Sequence, residues 1–109
     1  MKTLKFTPEL CEQILKGEKT STWRLFDDKD IRTNDELAFV NKATGEIIGL
    51  ANVERLKIKT LGTLEEEDWD GHERYVSSDE MLKQYKQYYG DGVSLETEVK
   101  IIAFVFQPT

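Results

Sequence analysis

Apolar and polar positions along the chain change their spacing several times, and each change marks an element. Residues 2–6 predict a short strand. Thr7-Pro8 then opens a helix, because threonine is a good N-cap and proline is favoured at the first helical position, where its missing N–H costs nothing. Leu10, Cys11, Ile14 and Leu15 fall on one helical face, and Gly17 stands where a left-handed C-cap belongs, so the helix runs from about Pro8 to Lys16. The β-branched and aromatic run Lys19 to Leu25 predicts a strand with Thr20, Thr22 and Arg24 on one face. Asp27 to Asp35 is polar and predicts a loop. Glu36 to Asn41 predicts a strand, and Asn41 to Gly45 a hairpin turn. Glu46 to Lys59 predicts one long strand or two, with Gly49 as a bend. Thr63-Leu64-Glu65-Glu66 has the form of a capping box opening a short helix. Ser77-Ser78-Asp79-Glu80 repeats it and opens a helix to about Tyr89, stopped by Gly90. Glu98 to Phe106 is mostly apolar and predicts a central strand. The order β-α-β-β-β-α-α-β is α+β, and a sheet with so few covering helices is best satisfied by closing into a barrel, which removes exposed edges.

Composition narrows the class. At 109 residues the chain fits one domain, residues 1–109, and 39% hydrophobic and 10% aromatic residues are enough to fill a small core. A single cysteine excludes an internal disulfide. With no charged segment leading into an apolar run, and no stretch long enough to span a bilayer, a reducing cytoplasm is the expected location, with no membrane partner. The net charge of −6 is concentrated: residues 61–80 carry eight acidic side chains against Arg74 alone, whereas residues 1–60 carry 11 basic and 10 acidic. An acidic chain is a poor non-specific nucleic-acid binder. A local basic site would have to come from Lys16, Lys19, Arg24 and Arg32, or from Arg55, Lys57 and Lys59.

Candidate chemistry concentrates in Gly17-Glu18-Lys19-Thr20-Ser21-Thr22-Trp23-Arg24. A lysine in a partly apolar site has its pKa lowered by desolvation and becomes a base near neutral pH. A threonine hydroxyl needs such a base to act as a nucleophile. An arginine beside them binds a phosphate, a carboxylate or an oxyanion. The spacing sets a condition: three residues apart in a regular strand, Lys19 and Thr22 point to opposite faces, and they converge only if the strand starts after Lys19 or a bulge follows Gly17. The plain alternative is an edge strand with a solvated lysine and arginine.

The pattern Gly17-x-Lys19-x-x-Thr22-x-Arg24 after an amphipathic helix resembles the signature of the ASCH family, a branch of the PUA-like folds. The resemblance extends through Thr60-Leu61-Gly62-Thr63-Leu64, a helix bearing Gly71-His72-Glu73, and the terminal apolar strand, so it covers nearly the whole chain. It implies a mixed β-barrel of about five to six strands with two or three helices. In length, and in having Thr22 where many relatives have glutamate, the chain resembles a small subgroup of N4-acetylcytidine amidohydrolases that use a Lys, a Thr and a Glu. By that resemblance Lys19 is the base, Thr22 the nucleophile, and Glu73 orients the lysine or protonates the leaving amine, with Glu65, Glu66 and Glu67 as competitors for the last role. A carboxyl in a closed site can be held protonated for that purpose. Gly17, Thr20, Trp23, Arg24 and His72 are the expected substrate-binding residues. The subgroup needs no cofactor.

Other features carry less. His72 and Cys11 are too few for a metal site, and Cys11 on the apolar helix face reads as a core thiol. Trp23 or Trp69 beside the cleft would stack on a base, while Tyr75, Tyr85, Tyr88 and Tyr89 read mainly as core and helix cover. Gly90-Asp91-Gly92 follows a helix and is a turn, not a phosphate loop. Two readings therefore stand: hydrolysis of an N4-acyl group from a nucleoside, or non-catalytic binding of RNA or a nucleotide (or ribonuclease action) in the same cleft.

Overall fold

The computed structural model describes residues 1–108. The chain runs β1 (Lys2–Phe6), α1 (Pro8–Leu15), β2 (Ser21–Leu25), β3 (Glu36–Asn41), β4 (Ile47–Thr60), α2 (Ser78–Tyr89) and β5 (Glu98–Pro108), with 3-10 turns at Leu61–Thr63 and Glu66–Trp69. The strands form one curled half-barrel in the order β1-β3-β4-β5-β2. β1 and β3 are parallel and every other pair is antiparallel, so the fold is α+β with a mixed sheet. No helix among the described residues is long and apolar enough to cross a membrane.

Local signals account for much of this. Thr7 Oγ1 accepts from the Leu10 amide at 3.5 Å, and Cys11 and Ile14 are the buried residues of α1. Leu15, placed by spacing on the same face, is exposed. Gly17 has φ +78°, the left-handed conformation that ends a helix cheaply. Ser77 Oγ caps α2 through the Glu80 amide at 3.2 Å, and Gly90 (φ +100°) ends it.

β4 and β5 form the spine, paired from Gly49↔Pro108 to Thr60↔Glu98. The ladder with β3 skips Ile48 and the ladder with β5 skips Glu54. Such bulges bend a strand and sharpen its twist, which lets 14 residues follow a curled sheet. β5 separates two cores. Ile102 and Phe104 join Leu4, Phe6, Ile14 and Phe39 on one side, while Val99 and Ile101 join Trp23, Leu25, Met81 and Tyr85 on the other.

Gly49 is not simply a bend. A Cβ there would run into the Gln107 carbonyl oxygen and lie 2.5 Å from the Phe106 ring. The missing side chain is what lets Phe106 lie over β4. Gly49→Ala is therefore expected to cost about 1–3 kcal/mol, as overpacking does, and urea denaturation would show it as a lower midpoint at unchanged slope.

The segment after β4 departs from expectation. No α-helix opens at Thr63. Its hydroxyl turns back to accept from the Thr60 amide at 3.1 Å, and the next turn is closed by Asp68, which accepts from the Glu65 amide at 2.8 Å. Two short 3-10 turns result, and Gly71-His72-Glu73 lies in a loop rather than on a helix.

Candidate functional site

β2 begins at Ser21, so Lys19 precedes the strand and escapes its alternation. This is the condition under which Lys19 and Thr22 can share one site. Lys19 is 2% exposed and Thr22 4% exposed. A buried ammonium needs a partner, and the structure supplies Glu73: Nζ to Oε2 is 2.7 Å. The competing acids are engaged elsewhere, Glu65 with Lys59, Glu66 with Arg74 and Glu67 with Lys57.

The loop carrying Glu73 is stitched to the free edge of β2. The Gly71 carbonyl accepts from the Thr20 and Ser21 amides at 2.9 and 3.1 Å, and Ser21 Oγ donates to the Asp70 carbonyl at 3.0 Å. Gly71 has φ +72°, and a Cβ on it would run into the Thr20 side chain, so only glycine permits this approach. Next in the loop, His72 stacks on Trp23 with ring centroids 3.9 Å apart. Trp69 packs edge-on against Trp23 at 4.6 Å from the other direction.

His72 is neutral at physiological pH. Burial, reinforced by the Lys19 ammonium, pulls its pKa down to about 4. Its Nδ1 lies 2.7 Å from the Glu73 carbonyl oxygen, which can only accept, so Nδ1 carries the proton. Nε2 is then an acceptor, and the Tyr85 hydroxyl lies 3.5 Å from it. Burial holds Tyr85 protonated, well above the usual phenol range.

The Lys19–Glu73 pair is finely balanced. Burial is the largest influence on both groups and favours their neutral forms, lowering lysine and raising glutamate; their mutual attraction opposes it. Lys19 ends below the ordinary lysine range. Glu73 also ends below the ordinary carboxylate range, because burial, its largest single influence, is outweighed by the Lys19 ammonium together with His72 and a backbone hydrogen bond. The expectation of a protonated Glu73 is thus corrected: with Lys19 beside it, the carboxylate is the resting form.

A cavity of about 250 Å³ lies at the free edge of β2. Its walls include Thr22, Trp23, Arg24, His72 and Glu73, with Tyr85, Tyr88 and Tyr89 from α2, and Lys5, Phe6, Thr7, Leu10 and Lys42 around α1 and β1. The strand edge itself faces this gap. The amides of Ser21 and Leu25 point outward, to the Gly71 carbonyl and the Tyr89 hydroxyl. By the alternation of an antiparallel ladder, the Trp23 amide points the same way. Arg24 is anchored across the gap, Nη2 donating to the Lys5 carbonyl at 3.1 Å with the guanidinium 4.7 Å from the Phe6 ring. Trp23 Nε1 and Arg24 Nε are buried donors with no acceptor among the described residues.

Of the expected site residues, the structure brings Thr22, Trp23, Arg24, His72 and Glu73 to one cavity, with Lys19 bonded to Glu73. Gly17 and Thr20 are not in its wall; Gly17 turns the chain out of α1, and Thr20 holds the Gly71 loop. Trp69 packs behind Trp23 without lining the cavity. Lys5, Lys42 and Thr7 line it without any local signal, since the end of the parallel β1–β3 pair brings them there. Tyr88 and Tyr89, read mainly as cover, belong to the wall as well. A larger depression of about 480 Å³ borders β5 beside Asp27 and Lys100, but these two neutralise each other at 2.7 Å and it holds none of the candidate residues except Arg24. Cys11 is a buried core thiol. No three His, Cys, Asp or Glu side chains among the described residues converge as a metal-binding group.

No protein-family model and no curated protein matches the chain. Solved structures do. Protein EF3133 from Enterococcus faecalis V583 matches with a TM-score of 0.77 over 92% of this chain and 71% of that one, at 10% identity. Hypothetical protein PH0355 matches at 0.74 over 98% and 100%, at 24% identity. ASCH from Zymomonas mobilis matches at 0.64 over 97% and 68%, at 22% identity. The likeness is one of fold: the chain has the ASCH, PUA-like fold anticipated from the Gly17–Arg24 pattern.

Proposed function

We propose that the chain is an ASCH-fold hydrolase that removes a small acyl group, most concretely acetyl, from N4 of a cytosine base. The observation that carries the reading is the buried Lys19–Glu73 pair, 2.7 Å apart, whose carboxylate shares a cavity wall with Thr22. A substrate filling the cavity removes water from a pair that burial already pushes toward neutrality. The shared proton then passes from Lys19 to Glu73. One step produces the two species the reaction needs, an amine base and a carboxylic acid.

Lys19 Nζ takes the Thr22 hydroxyl proton as Oγ1 bonds to the acyl carbon, and the carbonyl electrons collect on oxygen. The outward Trp23 amide, next in chain to the nucleophile, is the donor available to that oxyanion. The carbon–N4 bond then breaks as Glu73 gives its proton to N4, and the base leaves with a free amino group. Water hydrolyses the Thr22 ester, releasing the acid and restoring the hydroxyl. Tyr88 and Tyr89 supply flat apolar surface for the base.

The alternative, a non-catalytic RNA or nucleotide module or a ribonuclease, finds less support. Of the seven basic residues that composition offered as a phosphate track, Lys16, Lys19, Arg32, Lys57 and Lys59 all pair with carboxylates. The deciding assay is release of cytidine from N4-acetylcytidine by purified protein, with Thr22→Ala as control. Turnover lost in Thr22→Ala and partly kept in Thr22→Ser is the expected result. A folded wild-type protein that releases no cytidine would remove the reading.

A further inference from the structure

We propose that the ligand of this cavity carries a phosphate on its ribose, held at the mouth by Lys5, Lys42 and Arg24. The inference rests on the reading above for the base and deepens it: the preferred substrate is a phosphorylated N4-acylcytidine, a mononucleotide rather than the free nucleoside.

Size comes first. About 250 Å³ is below the range of roughly 300–1,000 Å³ typical of pockets that engulf a drug-sized ligand. It accommodates a cytosine with a small acyl group. The sugar and anything attached to it must then stand at the mouth.

The second point is the distribution of free positive charge. Eight of the fifteen lysines and arginines have a carboxylate within ion-pair distance among the described residues. Lys5, Arg24 and Lys42 are among the seven that do not, and all three line this one cavity. Among the described residues the only acid in the wall is Glu73, and Lys19 already engages it. Glu9 of α1 bears on Tyr88 but pairs with none of the three cations. In a chain of net charge −6, three unpaired cations around a single opening are a local exception.

The fold fixes their convergence. β1 and β3 run parallel with Lys5 opposite Val40 and Phe6 opposite Asn41. The ladder is extended one step by the Lys42 amide donating to the Phe6 carbonyl at 2.8 Å. Lys42 therefore leaves β3 beside the end of β1, where the Lys5 carbonyl also receives Arg24. Two exposed flexible ammoniums accompany one anchored guanidinium whose Nε has no acceptor among the described residues. That donor set fits a phosphate monoester. The other unpaired basic residues, Lys29, Arg55, Lys83 and Lys86, are not in the cavity wall, and three cations at one mouth match the single phosphate of a mononucleotide.

Binding and turnover test this separately. Calorimetric titration with cytidine, cytidine 5′-monophosphate and a cytidine hexanucleotide needs no chemistry; kcat/KM on N4-acetylcytidine and its 5′-monophosphate does. The expected result is a preference of about tenfold for the mononucleotide over the nucleoside, the size two or three partly exposed charge contacts supply. The preference should collapse in Lys5→Gln/Lys42→Gln and in high salt, through a loss on the mononucleotide that exceeds any change on the nucleoside by about tenfold. Equal affinity for nucleoside and nucleotide, a preference that survives the double variant, or tighter binding of the hexanucleotide would each overturn the proposal. A lysine-dependent nucleotide preference without any turnover would sustain it while removing the hydrolase reading. Turnover without a phosphate preference would do the reverse.

Discussion

Lys19→Met is expected to abolish turnover of the acylated substrate and to destabilise the fold in a pH-dependent way. Removing a general base costs about 10²–10⁴ in rate. The stability effect comes from Glu73. Breaking a buried ion pair by deleting one partner costs about 3–5 kcal/mol, because a charge is left without compensation. The Glu73 side chain keeps 26% exposure, so the lower end applies here. Burial, which wild-type Glu73 resists chiefly through the ammonium, then raises its pKa above the unfolded value. A carboxyl raised on folding binds more protons in the native state, so the variant's deficit is largest at pH 8 and shrinks as pH falls through the raised pKa. Urea melts at pH 8 and pH 5.5 would show the deficit narrowing. In Lys19→Met/Glu73→Gln the charge is gone, and most of the lost stability should return while turnover stays absent. A double variant no more stable than the single at pH 8 would mean that lysine packing, not charge compensation, is what the fold needs.

That pair could be anticipated only in part from the sequence, and the reasons are physical. The Thr7-Pro8 cap, the Gly17 stop and the Ser77 cap are decided within a few residues of backbone, and each is found where the pattern put it. The strand start that frees Lys19 was readable only as a condition, because it depends on the docking of Gly71, far along the chain. The segment after β4 misleads for a similar reason. Its carboxylates look like a capping box and a solvated helix face, yet Asp68 is buried between Lys57 and Lys59 of β4. Those contacts tie the segment to the sheet in short turns. They also remove two of the cations that composition offered to nucleic acid. Lys5 and Lys42 had no local mark, since only the parallel register of β1 and β3 makes them neighbours.

Acid should loosen the protein in a window that belongs to His72. Its pKa is about 4 in the fold against 6.5 as its ordinary value, with burial the main cause and the Lys19 ammonium the next. Between those values the unfolded chain binds a proton that the native state refuses. Stability therefore falls as pH drops from about 6.5 to about 4, by up to ~3 kcal/mol, since each pH unit across that window contributes about 1.36 kcal/mol. Most carboxylates held low in the fold, such as Asp27 and Asp68, lose their contribution only further down, so the histidine's share can be separated from theirs. Chemical denaturation at pH 7, 5.5 and 4.5 should give a clear slope for wild type and a much flatter one for His72→Gln. A slope that persists in the variant would place the titration elsewhere. The sharper version couples the two predictions. His72 lies between a cation that lowers its pKa and a carboxylate that raises it. Deleting only the cation, as in Lys19→Met, leaves an imidazolium with a carboxylate 3.6 Å away and no opposing ammonium. The histidine pKa should then rise, and the acid-labile window should move up or vanish. Its ring proton signals, followed by NMR against pH in both proteins, would register that change directly. An unchanged histidine pKa would mean that burial alone holds His72 neutral and that the Lys19 charge does not reach it.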